Sequence, residues 1–348
     1  MFTQEAVLNA LRQVKYPGYS RDIVSFGLIK DIQIDGPAVG VLIELTSPSP
    51  EVGEKIAESA RLTLRNELPG LSDAHVQVRV PQAAPGAPAP GATGARNRLP
   101  NIRRVIAVAS GKGGVGKSTC SVNLACALRH LGARVGLLDG DIYGPSIPLM
   151  MGIQDRPQIS EQEHLIPPFA HGVKLMSMGF LIGDDQPVIW RGPMIQKTMQ
   201  QFIHQVEWGE LDYLLVDLPP GTGDAQLSLC QIVPLDGGVI VTTPQQASIG
   251  VVRKGMAMFE KVNVPILGII ENMSYFAAPD GSRIEIFGHG GGAAEAQRKG
   301  VPFLGEVPLI PSIREGGDRG IPAVVSDPTG PAGAAFLKVA TTLRERLG

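Results

Sequence analysis

The sequence predicts an α/β protein, a doubly wound and mostly parallel sheet preceded by a small α+β domain. Three observations carry this expectation. From residue 101 onward, short aliphatic runs alternate with helix-length segments, the order that builds a parallel sheet covered on both faces. The first of those runs, Val105-Ile-Ala-Val-Ala109, leads into the glycine-rich stretch Ser110-Gly-Lys-Gly-Gly-Val-Gly-Lys-Ser-Thr119. Residues 1–80 read α-β-β-α-β ahead of an Ala/Pro/Gly-rich segment at 81–100.

In the small domain, residues 3–14 place Ala6, Val7, Ala10, Leu11 and Val14 at helical spacing, and Pro17 and Gly18 stop the helix. Two apolar runs, 28–34 and 39–45, flank Asp35-Gly-Pro and predict a hairpin. Residues 51–68 form an amphipathic helix with Ile56, Ala60 and Leu64 inward, and 74–80 alternates as a strand. The 81–100 segment has too little apolar surface to offset the cost of ordering and reads as a linker between domains 1–80 and 101–348. Further strands are expected near 105–110, 134–139, 173–178, 213–217, 238–242, 266–271 and 303–307.

With 348 residues, 43% hydrophobic and 18% charged, the chain can bury a sizeable core. A formal net charge of −2 and a pI near 6.3 give no global attraction to nucleic acid or to an anionic membrane, so neither partner is expected. No apolar run reaches the roughly 18–20 residues of a membrane span, and no secretory leader is apparent at the N-terminus. Three cysteines, Cys120, Cys126 and Cys230, are an odd number and fit a reduced, cytoplasmic setting. Cys120 and Cys126 are six helical positions apart, about 600° of rotation, and so do not share a face; core positions suit them and Cys230 best.

Strand, glycines, Lys-Ser and then a helix spell a phosphate-binding loop. Gly111, Gly116, Lys117 and Ser118 satisfy G-x-x-x-x-G-K-[ST], with Gly113, Gly114, Val115 and Thr119 completing the loop. Glycines let backbone N–H groups converge on phosphate oxygens, and the helix offers its positive end. Lys117 neutralises the β and γ phosphates, and the Ser118 hydroxyl holds Mg2+. Gly111, Gly113 and Gly116 also read G-x-G-x-x-G, with Asp139 some 20 residues on, as in a dinucleotide fold. That alternative has no use for Lys117-Ser118, and it does not predict the second aliphatic strand ending in an acid, Leu214-Leu-Val-Asp217.

The extra lysine at the second position, Lys112, makes Lys-Gly-Gly-Val-Gly-Lys, which resembles the deviant phosphate loop of the partition, septum-site, nitrogenase-iron-protein and Mrp-type ATPases. The resemblance implies a homodimer in which Lys112 crosses to the partner's ATP. Further stretches are similar to the Mrp/ApbC iron-sulfur carrier family from about residue 101 to the C-terminus: Asp139-Gly-Asp-Ile-Tyr-Gly-Pro-Ser146, Asp217-Leu-Pro-Pro-Gly-Thr-Gly-Asp224, Arg191-Gly-Pro-Met194, Glu271-Asn-Met-Ser-Tyr-Phe276 and Gly288-His-Gly-Gly-Gly292. By that likeness Asp141 positions the attacking water, Asp139 supports Mg2+ and the loop, Asp217 reaches Mg2+ through a water, and Asn272 meets the adenine. Capping roles are the alternatives for Asp139 and Asp141, and a turn role for Asn272; Asp224 reads as a cap for the next helix, and Arg191 contacts phosphate or partner or else makes a surface salt bridge. His289, with no second histidine or cysteine nearby, reads as a structural histidine.

The α-β-β-α-β domain, with Ile23-Val-Ser-Phe-Gly-Leu-Ile29, looks like the small iron-sulfur-assembly-associated domain that precedes Mrp-type ATPases. Its Leu45-Thr-Ser-Pro-Ser-Pro50 turn lacks that domain's cysteine. The family also implies a Cys-x-x-Cys pair and a dimer-bridging [4Fe-4S] cluster, but this chain has Ala278 and Gly281 at those positions, and neither can replace a thiolate. The expected function is therefore a slow ATPase serving iron-sulfur assembly or delivery, with cluster donors and apoproteins as partners. The alternative is a partition-type positioning switch, although the segment from Ala334 to Gly348 has the mixed charge of an ordinary docking helix.

Overall fold

The computed structural model describes residues 2–17, 22–45, 50–80, 98–142, 144–181, 192–278 and 280–348. Residues 81–97 of the linker, the Thr46-Ser-Pro-Ser49 part of the turn, Tyr143, Arg191 and Pro279 lie outside the described residues. The chain divides into two compact units, Met1–Ala95 and Arg96–Gly348.

In the first unit, helix α1 (Gln4–Leu11) starts where the Thr3 hydroxyl accepts the Ala6 N–H at 3.2 Å. Strands β1 (Ile29–Asp35) and β2 (Ala38–Glu44) pair antiparallel around Gly36, whose φ of 57° favours a residue without Cβ. Helix α2 (Pro50–Glu67) then crosses to β3 (Asp73–Arg79), which pairs parallel to β2. Val7, Leu11, Ile43, Ile56 and Leu64 fill the space between helices and sheet.

The second unit alternates strands and helices as its sequence does. It begins with β4 (Ile102–Ser110), α3 (Lys117–His130), β5 (Val135–Asp139) and the single turn α4 (Ile147–Met150). Short pieces follow, β6 (Gln158–Ile159), β7 (Leu165–Ile166) and β8 (Phe169–Ala170), then β9 (Val173–Ser177). The remainder is α5 (Gly192–His204), β10 (Leu211–Asp217), α6 (Asp224–Ile232), β11 (Gly237–Thr242), α7 (Gln246–Lys261) and β12 (Ile266–Ala277). Last come β13 (Arg283–Ile284), α8 (Gly291–Lys299), β14 (Phe303–Leu309), α9 (Pro311–Asp318), α10 (Ala323–Ser326) and α11 (Pro331–Leu347).

The strands lie in the order β14, β12, β11, β4, β10, β5, β9, all parallel, and the two-residue strands β13 and β8 add antiparallel edges. β5 and β11 are buried at every position, as a sheet covered on both faces requires. Register decides what gathers at the carboxyl ends. Asp217 pairs with Val108 on one side and Asp139 on the other, and Asp139 pairs with Ser177. On the far side of β4, Thr242 pairs with Glu271, and Glu271 with Glu306. Among the described residues, no helix is long and apolar enough to cross a membrane.

Candidate nucleotide site

The phosphate loop leaves the central strand β4 and enters α3, with Gly116 at the N-cap in a left-handed conformation, φ 78°. Two of its glycines, Gly111 and Gly116, are dictated by close approach, and Gly116 by its backbone angle as well. A Cβ on Gly111 would lie 2.5 Å from the Val251 carbonyl of α7, and one on Gly116 would lie 2.2 Å from Asn272 Nδ2. The Asn272 amide donates to the Val115 carbonyl at 2.8 Å, so β12 holds the loop in place.

Inside the loop, Lys117 is buried and its Nζ lies 2.5 Å from Asp217 Oδ2. The same oxygen accepts the Ser118 hydroxyl at 2.7 Å, and Oδ1 accepts the Ser121 hydroxyl at 2.5 Å. Asp217 has no solvent exposure. A buried carboxylate is tolerated only when its charge and lone pairs are met, and here one ammonium and two hydroxyls meet them. In phosphate loops a lysine and a serine at these positions meet a triphosphate and Mg2+; here both are engaged by Asp217.

Asp139, one strand over, is equally buried. Burial, then repulsion from Asp217, pushes its carboxyl up to about 7, against hydrogen bonds from the Ser177 hydroxyl and the Asp141 backbone and the attraction of Lys117. Its Oδ2 accepts from Ser177 Oγ at 2.9 Å and from the Ile147 N–H at 3.4 Å, and its Oδ1 from the Asp141 N–H at 3.1 Å. Asp139 therefore shapes the loop that carries Asp141, and it accepts the first N–H of α4, whose N-cap is Ser146. Asp141 Oδ1 accepts the Gly144 N–H at 3.2 Å.

Two cavities share this loop. One, of about 210 Å3, is lined by Lys112, Gly113, Gly114, Lys117, Ser118 and Asp141. The other, of about 220 Å3, is walled mainly by apolar groups, among them Met273, Pro308, Leu309 and Ile310, and also touches Asn272. Gly116, Thr119 and Met150 border both. Met273 sits at φ 55°, a conformation that costs a non-glycine residue roughly 1–3 kcal/mol, at the point where β12 loses register with β14. Lys112 is half-buried, with its Nζ 3.4 Å from Gln245 Oε1.

The structure thus brings Lys112, Lys117, Ser118, Asp139, Asp141 and Asp217 to one carboxyl edge, with Asn272 against the loop. Asp224 opens α6 after an N-cap at Gly223, so it is not itself the cap residue. Ser121, Ser177 and Gln245 join the site without having been singled out from sequence. Ser121 lies at i+4 from Lys117, on the same helix face, which is the one cue the sequence offered.

The stretch that lacks the cysteine pair is a hydrogen-bonded turn between β12 and β13. Ala278 N–H donates to the Ser282 carbonyl, Gly281 N–H to the Ala278 carbonyl, and Gly281 sits at φ 83°. Asp280 Oδ1 accepts both the backbone N–H and the hydroxyl of Ser282. Cys120, Cys126 and Cys230 are all buried, and burial pushes the Cys126 thiol up to about 12 and Cys120 higher still. None of the three can offer a thiolate at this turn.

Beside the turn, His289 has two acidic neighbours, one four residues earlier in the chain and one on β14. Its Nε2 lies 3.9 Å from Glu306 Oε1 and its Nδ1 3.9 Å from Glu285 Oε1. Glu271, buried, accepts the N–H groups of Gly290 and Gly292 at 3.2 and 2.5 Å and the Ser274 hydroxyl at 2.6 Å. The glycine run is thereby explained: a Cβ on Gly291 would lie 2.4 Å from the Pro244 carbonyl, and one on Gly292 3.1 Å from Glu271.

Residues 101–344 match the family model described as NUBPL iron-transfer P-loop NTPase, and residues 4–78 match the model described as iron-sulfur cluster assembly protein. The chain is 46% identical to an iron-sulfur cluster carrier protein of Synechocystis sp., covering 98% of this chain and 96% of that protein. It is 43% identical to an iron-sulfur cluster carrier protein of Helicobacter pylori, covering 99% and 92%. A solved structure, a nucleotide-binding protein of Archaeoglobus fulgidus in complex with ADP, superposes with a TM-score of 0.61 at 39% identity, over 69% of this chain and 94% of that one.

Proposed function

This chain belongs to the NUBPL iron-transfer P-loop NTPase family, and on that premise we propose that it is a slow, homodimeric, cytoplasmic ATPase that serves iron-sulfur cluster assembly and delivery to apoproteins. The observation that carries the ATPase reading is the buried Lys117–Asp217 pair, with Ser118 on the same oxygen, inside a glycine cradle that a Cβ would fill. The curated relatives are named as iron-sulfur carriers, which favours this reading over a positioning switch.

The residues present fit magnesium and a nucleotide. The Ser118 hydroxyl and the carboxylates of Asp217 and Asp139, in one register row, are the all-oxygen donors that would hold Mg2+. When bound, Mg2+ neutralises charge on the β and γ phosphates. Lys117 turns from Asp217 to the phosphates, and the amides of Gly113 to Lys117 surround their oxygens. Lys112, which donates to Gln245 over a long 3.4 Å, leaves that contact to cross to the nucleotide of the partner subunit. Asp141 orients a water on the γ-phosphorus; as that oxygen–phosphorus bond forms, the bond to the β–γ bridging oxygen breaks and leaves ADP and phosphate. The adenine occupies the apolar cavity, with Asn272 holding the loop beside it.

A thiolate-held [4Fe-4S] cluster does not fit Ala278, Gly281 and three buried cysteines. Any cluster handled by this chain takes its thiolates from the client or donor protein. Phosphate release checks the assignment. Asp141→Ala should lose turnover by at least about 100-fold while Mg-ATP binding stays within a few fold, and an Asp141→Ala protein that turns over like the parent sinks it. Iron and sulfide analysis of anaerobically purified protein, alone and mixed with a cluster donor, tests the cargo reading.

A further inference from the structure

The middle of β12 and β14, on the side of β4 away from Asp217, gathers a second group of ligand-type side chains. One oxygen each of Glu271 and Glu306 and one ring nitrogen of His289 lie within 4.8 Å of one another. The convergence is built by the fold: Glu271 and Glu306 are register partners on adjacent parallel strands, and His289 enters from the loop between Gly288 and Gly290, at φ 84° and 71°.

We propose that Glu271, His289 and Glu306 form a binding site for one divalent first-row transition metal of the iron(II) class. One imidazole joined to two carboxylates combines the nitrogen donor that suits iron, nickel, copper and zinc with oxygens that any divalent cation accepts, and the imidazole sets the preference apart from that of Mg2+ or Ca2+, which take oxygen. The distances suit a cation better than direct pairing. His289 and Glu306 stand 3.9 Å apart, too far for a hydrogen bond, and a metal about 2.1 Å from each ligand holds its donors roughly 3–4 Å apart. His289 and Glu306 retain part of their exposure and can close the remaining gap by rotation.

Glu271 is already bonded, yet it has capacity left. A carboxylate has about four acceptor positions, and Ser274, Gly290 and Gly292 use three of them, leaving one on Oε2. Its three donors fix it, so it is the rigid ligand and the other two are the adaptable ones. Glu285, 3.9 Å from His289 Nδ1, adds negative charge, whereas Arg283, 4.0 Å from Glu306 Oε2, competes with a metal for that carboxylate. The site borders the turn where the thiol pair is missing, and its Glu271 is the chain neighbour of Asn272, which grips the phosphate loop. An oxygen and nitrogen site at that place holds a single metal ion without any cysteine.

The test is anaerobic calorimetric titration of the full chain with Co2+ and with Fe2+, in excess Mg2+ to occupy the phosphate site, followed by metal analysis after desalting. One equivalent is expected to bind. His289→Ala and Glu306→Gln, both at partly exposed positions, should each weaken binding at least tenfold, while the rise in melting temperature given by Mg-ATP stays as in the parent. That second readout keeps this site separate from the nucleotide reading. Absence of a Co2+ or Fe2+ equivalent in the parent, or parent-like binding by both variants, overturns the proposal.

Discussion

The carboxyl edge of one sheet carries two rows of acids, and they are neutralised by opposite means. On one side of β4, Asp217 and Asp139 stand in register, and Asp217 is met by a side-chain ammonium and two hydroxyls. On the other side, Glu271 and Glu306 stand in register, and Glu271 is met by backbone N–H groups at the start of α8 and one hydroxyl. A lysine can leave its partner when a better anion arrives, whereas backbone amides anchored in a helix end cannot. The first row is thus suited to exchange and the second to holding.

Breaking the first row should have the largest effect. Lys117→Ala leaves Asp217 buried without its cation, which should cost about 3–5 kcal/mol in urea unfolding and abolish phosphate release. The double variant Lys117→Ala with Asp217→Ala should recover much of that stability and none of the turnover. If the double variant is as unstable as the sum of the singles, the two residues are not coupled. In the second row, Glu271→Ala strands the N–H groups of Gly290 and Gly292, and a loss of about 2–3 kcal/mol is expected in the same unfolding experiment. A loss as large as that of Lys117→Ala would erase the contrast.

A smaller effect sharpens the difference in chemistry. With the Cys126 thiol pushed up to about 12 and Cys120 higher, the native chain should react with a thiol reagent at pH 8 far more slowly than the same chain in denaturant. Fast modification of even one native thiol would reopen the question of cysteine ligands. The smallest expected change is Gln245→Ala. It frees Lys112 from a long 3.4 Å contact and should alter stability by less than about 0.5 kcal/mol, with turnover within twofold of the parent.

Much of the frame was legible because it depends on local pattern. Aliphatic runs ending in Ser110, Asp139 and Asp217 are strands that need both faces covered, and a glycine loop before Lys117 has few other uses. The expected 266–271 strand continues to Ala277, because the chain past Asn272 pairs with β14 and β13 despite the positive φ of Met273. What stayed hidden depends on register between distant segments. Nothing local to Ser177 says that its hydroxyl meets Asp139, and nothing near His289 announces Glu271 or Glu306. Asn272 shows the same limit: its place beside the nucleotide was inferred by resemblance, but only the fold shows that its amide is engaged by the Val115 carbonyl.

Calorimetric titration of the full chain with Mg-ATP, paired with the melting temperature, tests the exchange at Asp217 most directly. Binding should raise stability by about 2.7 kcal/mol at a hundredfold excess over the dissociation constant, and Lys117→Ala should show neither heat nor shift. A parent protein that gives no heat and no rise in melting temperature with Mg-ATP, or a Lys117→Ala protein that binds as the parent does, would contradict it.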